Sequence, residues 1–323
     1  MTALYGYALS APRRGERLSG AALESACLSS DLAWAHLSAE PEDVADAQTW
    51  LARVLPELDP STVQTLTGAG TRPRSVHVGQ GAMILLRDVP DETIEDGGDM
   101  PSLRLYVDAR MVISLSRRPV GALTVQSERI ASGTGAVTTG AFLHDLVEII
   151  AERIDATVDI LTCATDTLED ALDDGRPTED ERQEATRLRR AVLGLRRHVS
   201  PQRDALEALR LLDLVPKGER RRLAELHDRH VRAVEELDLL IQRLVLAREG
   251  IAGSQAERLN RQLYILSIVS VLFLPLGFLT GLMGVNLGGI PGAGSPVAFW
   301  IFVGLLAGVF GGLGLILWRM RWL

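Results

Sequence analysis

The stretch "LYILSIVSVLFLPLGFLTGLM", from Leu263 to Met283, contains no charged residue, and a second apolar stretch, "VAFWIFVGLLAGVFGGLGLILW", follows it from Val297 to Trp318. At a rise of about 1.5 Å per residue, each stretch reaches roughly 30 Å, which is the thickness of a bilayer core. A buried helix of a soluble protein can be this apolar, but two such runs in tandem favour a membrane hairpin. The sequence therefore predicts transmembrane helices at 263–283 and 297–318.

Basic residues lie before and after the predicted hairpin but not between its two helices. Arg258 and Arg261 precede the first apolar stretch, Arg319 and Arg321 follow the second, and the segment between the two stretches has no basic residue. The positive-inside rule then leaves both termini in the cytoplasm. We expect residues 284–296 to form an external loop and 319–323 a cytoplasmic tail. This organisation is that of a multi-pass protein of a bacterial-type inner (cytoplasmic) membrane, in contact with lipid.

Small residues recur along both predicted membrane helices. In the first helix they form one row with leucines at steps of three and four, which is the spacing of one helix face: Leu263, Leu266, Ser270, Leu274, Gly277, Gly281 and Gly284. Such a face is either tightly packed or the wall of a pore. Since two helices cannot enclose a pore, conduction would require several copies around an axis. The repeated GxxxG spacing of Gly304, Gly308 and Gly312 in the second helix predicts packing on a neighbouring helix.

The composition of the chain and the motifs that it lacks exclude several classes of protein. The whole chain is 46% hydrophobic, with a formal net charge of −8, so it should be largely folded and should not bind nucleic acid. An acidic body instead attracts cations. The two cysteines, Cys27 and Cys163, are too far apart to suggest a zinc finger, and we see no signal peptide. Walker A, GxSxG and HExxH motifs are absent, so we expect neither an enzyme nor a resident cofactor.

Strand patterns come first along the remaining chain, and helical patterns follow. Residues 31–37 read as a strand, and 74–79 with 82–89 and 102–108 with 110–118 read as two hairpins. Helical patterns cover 41–54 and 141–174. Thr178 and Glu181 form a capping box for the next helix, and Ser200 with Pro201 is predicted to open another. We therefore expect an α+β cytosolic domain over residues 1–200, with a mixed sheet covered by helices.

A long helical pattern joins this domain to the membrane. Residues 218–262 contain no proline and run directly into the first apolar stretch. A helix continuous from Gly218 to Met283 would be roughly 100 Å long. We therefore predict a helical stalk over 201–262, so that the α+β domain lies on a long stalk helix that leads to a two-helix transmembrane hairpin.

The end of the first apolar stretch resembles the CorA superfamily of divalent-cation transporters. The residues that carry the resemblance are "LPLGFLTGLMGVN", from Leu274 to Asn286, in which Gly284-Val285-Asn286 stands where many members have Gly-Met-Asn. The following "LGGIPG", from Leu287 to Gly292, is similar to the ZntB zinc-transporter branch. The resemblance implies a funnel-shaped homopentamer whose first membrane helices line the pore.

The resemblance also implies a role for individual residues. Gly284, Val285 and Asn286 would select the ion at the outer mouth. The pore-lining positions would be Asn260, Leu263, Leu266, Ser270, Leu274, Gly277 and Gly281. The leucines among them would otherwise be ordinary packing residues. Glu249 matches an acidic region of the cytosolic funnel.

The identity of the ion stays open at the level of sequence. Five Asn286 side chains would present amide oxygens to a hydrated divalent cation, and Mg²⁺ holds its water most firmly. Zinc prefers Cys and His, which the hairpin lacks. However, Gly277 replaces a threonine that is common in magnesium-transporting relatives, and the loop lacks their acidic residue. The resemblance implies zinc as the ion, and we expect uptake rather than export. Any proton coupling would have to use water or cytosolic groups, because the membrane segments hold no carboxylate or His.

Two alternatives to zinc uptake stay open at the level of sequence. A magnesium or cobalt channel of the CorA type is the alternative transporter, and a membrane-anchored coiled-coil scaffold or sensor is the alternative outside transport.

His227 and His230 are spaced to bind zinc if a further ligand joins them, although solvated or packed helix histidines show the same spacing.

Overall fold

The structure is a computed structural model that describes residues 4–29, 31–69, 72–90, 100–173, 177–212, 215–284, 292 and 294–319. The chain divides into two compact units, Met1–Glu249 and Gly250–Leu323. The first unit contains a sheet with helices on both faces. The second contains the end of one long helix and a further apolar helix.

The sheet of the first unit has seven strands in the order β2-β1-β3-β7-β6-β5-β4. The strands are β1 (Leu4–Ala8), β2 (Arg17–Leu18), β3 (Ala33–Ser38), β4 (Arg74–Val78), β5 (Gly81–Arg87), β6 (Ser102–Val107) and β7 (Met111–Ser116). Within the described chain β3 and β7 pair in parallel, and the other neighbours pair antiparallel. The sheet is therefore mixed, and the two predicted hairpins, β4–β5 and β6–β7, are confirmed.

Eight helices are described. They are α1 (Gly20–Leu28), α2 (Val44–Val54), α3 (Pro60–Thr67), α4 (Gly121–Ala131), α5 (Thr139–Asp173), α6 (Glu179–Arg210), α7 (Lys217–Met283) and α8 (Ala298–Arg319). Every residue of β5 and of β7 is buried, because helices cover both faces of the sheet. Trp50 and Leu51 of α2 belong to the core on one face, whereas Phe142 of α5 lies 5.2 Å from the Trp34 ring.

The strands and helix that precede residue 30 were not predicted. The β1 segment "LYGYA" becomes a strand by pairing with β3, which lies far away in sequence. Gly6 is needed at this pairing, since a Cβ there would lie 2.2 Å from the backbone oxygen of Trp34. No local pattern contains that constraint.

The predicted helix start at Ser200-Pro201 is wrong. Helix α6 runs through this point, with Pro201 inside it. An internal proline costs on the order of 3 kcal/mol. The flanking Val199 and Ala205 are buried, as is Pro201 itself, so packing offsets the cost and keeps the helix continuous. The capping box at the start of α6 is confirmed, with the Thr178 amide donating to Glu181 Oε2 over 2.6 Å.

The long helix predicted from 218 to 283 is confirmed as α7, which includes Pro275. Helices α7 and α8 each contain a window long and apolar enough to cross a membrane, and the buried share of these windows is 0% and 6%. A core helix of a soluble protein would be mostly buried. The exposed apolar surface therefore fits the predicted membrane hairpin.

Candidate ion path

One face of α7, within the second unit, carries the residues predicted to line the pore. Its members are exposed in the single chain: Asn260, Leu263, Leu266, Ser270, Leu274, Gly277 and Gly281. Leu274 is 75% exposed and Leu266 is 62% exposed. Apolar surface of this extent has to be covered by lipid or by other protein. The face is thus available to other subunits.

The polar and small residues on this face leave space along the helix. The Ser270 hydroxyl donates to the backbone oxygen of Leu266 over 2.9 Å, so its own lone pairs remain available to a hydrated ion. A Cβ on Gly277 or Gly281 would meet no described atom within 4 Å. These positions therefore permit close approach of neighbouring helices or of water.

Helix α7 ends beside the predicted ion-selecting triplet. The Gly284 amide donates to the backbone oxygens of Thr280, at 3.0 Å, and Gly281, at 3.2 Å, which is a shared bond typical of a last turn. Gly284 is exposed. Val285 and Asn286 lie outside the described residues, so their role at the pore mouth stays a prediction.

His230 is held by protein groups on both ring nitrogens. Its Nδ1 donates to the Leu226 backbone oxygen at 2.9 Å, and Gln202 Nε2 lies 3.4 Å from its Nε2. Burial is the main cause that lowers the pKa of His230, so the ring is kept neutral. The Gln202 side-chain oxygen accepts from the Arg87 amide of β5 at 2.6 Å. This network favours a packing role for His230.

His227 and Glu249 have different surroundings from His230. His227 Nε2 lies 3.8 Å from Glu207 Oε2, and its Nδ1 lies 3.2 Å from Asp228 Oδ1. Within the described ranges the two histidines do not join a third ligand to form a metal-binding group. Glu249 is exposed at the end of the first unit. A metal role for these three residues stays a prediction.

One metal-capable group was missed from the sequence. His144, Asp145 and Glu148 of α5 place one ligand atom each within 4.8 Å of one another. The segment "HDLVE" carries the signal, since Glu148 lies four residues after His144 and three after Asp145, which are the helix steps that bring side chains together. However, the Arg129 guanidinium already lies 3.7 Å from Glu148, which supplies a positive charge without a metal.

Ion pairs join the first part of α7 to neighbouring helices of the same unit. Arg243 donates to Glu169 of α5 at 3.0 Å, and Arg229 donates to Asp155 of α5 at 2.5 Å. Arg196 of α6 pairs with Asp238. These acidic residues therefore bind arginines within the chain, which reduces their availability to cations.

Comparison with known proteins gives matches over nearly the whole chain. Residues 29–319 match the family described as CorA-like Mg²⁺ transporter protein. The divalent cation transporter CmaX of Pseudomonas aeruginosa is 34% identical over 327 residues, covering 99% of this chain and 96% of the relative.

Solved structures also resemble this chain in fold. The full-length CmaX structure has a TM-score of 0.82 at 31% identity, covering 99% of this chain and 97% of that chain. The CorA magnesium transporter of Methanocaldococcus jannaschii gives 0.79 at 17% identity, covering 100% and 99%. The ZntB cytoplasmic domain of Vibrio parahaemolyticus gives 0.65 at 18% identity, covering 78% and 98%. The last two similarities concern the fold alone.

Proposed function

Because the chain belongs to the family of CorA-like Mg²⁺ transporter proteins, we propose that it moves zinc into the cell through a pore formed by five copies of the chain. Membership makes it a divalent cation transporter and not an enzyme, and it excludes the coiled-coil scaffold alternative. The identity of the transported ion, the assembly of five chains and the ion path belong to the proposal. The proposal also includes the division of the chain at residues 200, 262, 283, 296 and 318 and the cytoplasmic location of both termini.

The exposed face of α7 is the observation that carries the proposed path. It presents Ser270, Gly277 and Gly281 among leucines, and the helix ends at the triplet that contains Asn286. Five such faces around an axis would form a narrow pore with an amide ring at its mouth. Leu263, Leu266 and Leu274 would form apolar constrictions that close by dewetting.

Zinc is favoured by the segment around the triplet. "GVNLGGIPG" resembles the ZntB branch, and Gly277 offers no hydroxyl to a hydrated magnesium ion. Magnesium is the second candidate, because the family description names Mg²⁺ and because neutral amide oxygens suit an ion that keeps its water. An uncharged mouth binds a divalent ion less tightly than a carboxylate ring, and so releases it faster.

Ion flux into vesicles tests the proposed function. Purified protein is reconstituted into liposomes, and uptake of zinc and magnesium is followed with ion-sensitive dyes. We expect zinc flux above that of protein-free vesicles, and a loss of about tenfold or more in Asn286→Ala because the amide ring is removed. Ser295→Ala is the matched control, since Ser295 is an exposed polar residue beyond the triplet.

Several results would contradict parts of this proposal. Equal flux with and without protein would remove the transporter assignment under these conditions, and magnesium flux without zinc flux would select the second candidate. Flux unchanged in Asn286→Ala would remove the amide ring. A pH gradient applied across the same vesicles tests coupling, and zinc flux insensitive to it would remove proton coupling.

A further inference from the structure

A cavity of about 310 Å³ lies within the first unit, at the ends of β5 and β7 and the start of β6. Four arginines line it: Arg87, Arg104, Arg117 and Arg118. Ser102 lines it as well. Among the described residues, no carboxylate contributes to the lining. The cavity therefore concentrates positive charge in a protein whose overall charge is negative.

Arg104 is the most buried of the four arginines that line the cavity. It lies in β6 opposite Leu85 of β5 and Leu115 of β7, so its side chain shares the face of these two buried leucines. Arg104 is 0% exposed, and Nε, Nη1 and Nη2 of its guanidinium have no hydrogen-bond partner. An ionised group buried without partners is costly, and within the described part of the chain the Arg104 guanidinium has none.

The neighbouring charges increase the cost rather than relieve it. Burial, and then the charges of Arg117 and Arg87, lower the pKa of Arg104 to about 10. The group still carries its proton at neutral pH. A bound anion would supply the missing charge and would accept hydrogen bonds from the planar guanidinium.

We propose that this cavity binds the phosphate group of a small molecule, with Arg104 as the central ligand. Arginine matches phosphate oxygens in a bidentate arrangement, and several arginines suit an anion of more than one charge. Arg117 and Arg118 complete the positive lining, and Ser102 adds a hydroxyl. The volume lies near the lower limit for small-molecule sites, so the ligand is inorganic phosphate or a compact phosphate ester.

Calorimetric titration of the full-length protein in detergent tests the site directly. Inorganic phosphate and AMP are titrated separately, in a buffer free of other oxyanions and of divalent cations. We expect saturable binding at one site per chain. Arg104→Met should abolish it, and Arg117→Ala should weaken it by about 10- to 100-fold, as expected for loss of a charged hydrogen bond. Arg110→Met is the matched control, since Arg110 is exposed and does not line the cavity.

The two titrations distinguish the sources of the phosphate group. Phosphate binding as tight as AMP binding identifies a site for the free ion, and tighter AMP binding identifies a site for a phosphate ester. Either result supports the proposal. Absence of binding by both probes, or binding unchanged in Arg117→Ala and Arg118→Ala, overturns it. These surface variants keep the test decisive if Arg104→Met does not fold.

Thermal unfolding, measured with and without phosphate, supplies a second test. Without phosphate, Arg104→Met should melt at a higher temperature than the unmodified protein, because an apolar side chain replaces a buried unpaired charge. Added phosphate should raise the melting temperature of the unmodified protein but not that of the variant. An equal rise in the melting temperatures of both proteins on addition of phosphate contradicts the proposal. Neither readout depends on ion transport.

Discussion

At the scale of single residues, His36 illustrates how burial controls a titratable group. It lies in β3, and its Nδ1 is 2.9 Å from the Ser114 hydroxyl oxygen, which also accepts from Trp34 Nε1 at 2.8 Å. Burial lowers the pKa of His36 to about 4, although the Ser114 contact opposes the change. The folded protein therefore holds a neutral imidazole over a range in which the unfolded chain takes up a proton.

Acid should destabilise the protein through this residue. Above pH 6.5 both states are neutral at His36, and as the pH falls from 6.5 towards 4 the unfolded state alone gains the proton. At pH 5 this difference corresponds to about 2 kcal/mol. We expect His36→Gln, which keeps a hydrogen-bonding group, to lose less stability than the unmodified protein between pH 7.5 and pH 5.

Urea unfolding at the two pH values, followed by tryptophan fluorescence, measures this difference. The comparison between the two proteins cancels the contribution of the other histidines. An equal loss of stability in both would show that His36 does not titrate in the expected way.

At the scale of elements, Asp88 joins three parts of the first unit. It follows β5, its Oδ2 accepts from the Ala122 amide at the start of α4 at 2.9 Å, and its Oδ1 accepts from Arg153 Nε of α5 at 2.9 Å. The Val89 amide donates to the same Oδ1 at 2.8 Å. Burial is the largest influence and raises the pKa of Asp88, while these donors oppose it.

Removal of this carboxylate should be strongly destabilising. Asp88→Ala removes the acceptor of the Ala122 amide, and leaving a buried donor without its acceptor in this way costs about 1–3 kcal/mol, to which loss of the Arg153 contact adds. Asp88→Asn retains an acceptor and should lose less. Chemical unfolding measures both, with Glu16→Ala as the control that breaks the exposed pair with Arg13. Equal losses for Asp88→Ala and the exposed control would refute the joining role.

At the scale of the whole molecule, the proposed pore requires several chains. Five copies of the 35.1 kDa chain should give a particle of about 176 kDa, excluding detergent. Native mass spectrometry of the purified protein measures this mass. A monomer as the only species would contradict the proposed pore, because two apolar helices cannot enclose a water-filled path.

The glycine row of α8 provides a variant for the same measurement. A Cβ on Gly308 would meet no described atom within 4 Å, so Gly308→Leu should disturb contact with another chain more than the single chain. We expect a larger fraction of dissociated subunits in this variant. Gly314→Leu is the control on the same helix, since Gly314 lies off the row. Equal dissociation in both would exclude the row as a specific contact.

Local sequence patterns are sufficient to predict the two apolar helices, the long α7, the α5 helix and both hairpins. Each depends on local hydrophobic period or on apolar length, which a single segment contains. The same holds for the row from Leu263 to Gly281, because helical spacing decides which residues share a face.

Other features depend on contacts between distant parts of the chain, so they emerge only when the elements pack together. β1 needs β3 as its partner, Pro201 stays helical because its neighbours are buried, and burial lowers the pKa of His230. The clustering of Arg87, Arg104 and Arg117 around one cavity follows from strand pairing, which brings together residues separated in sequence. Local patterns predict elements, whereas burial and counter-charges depend on how those elements pack.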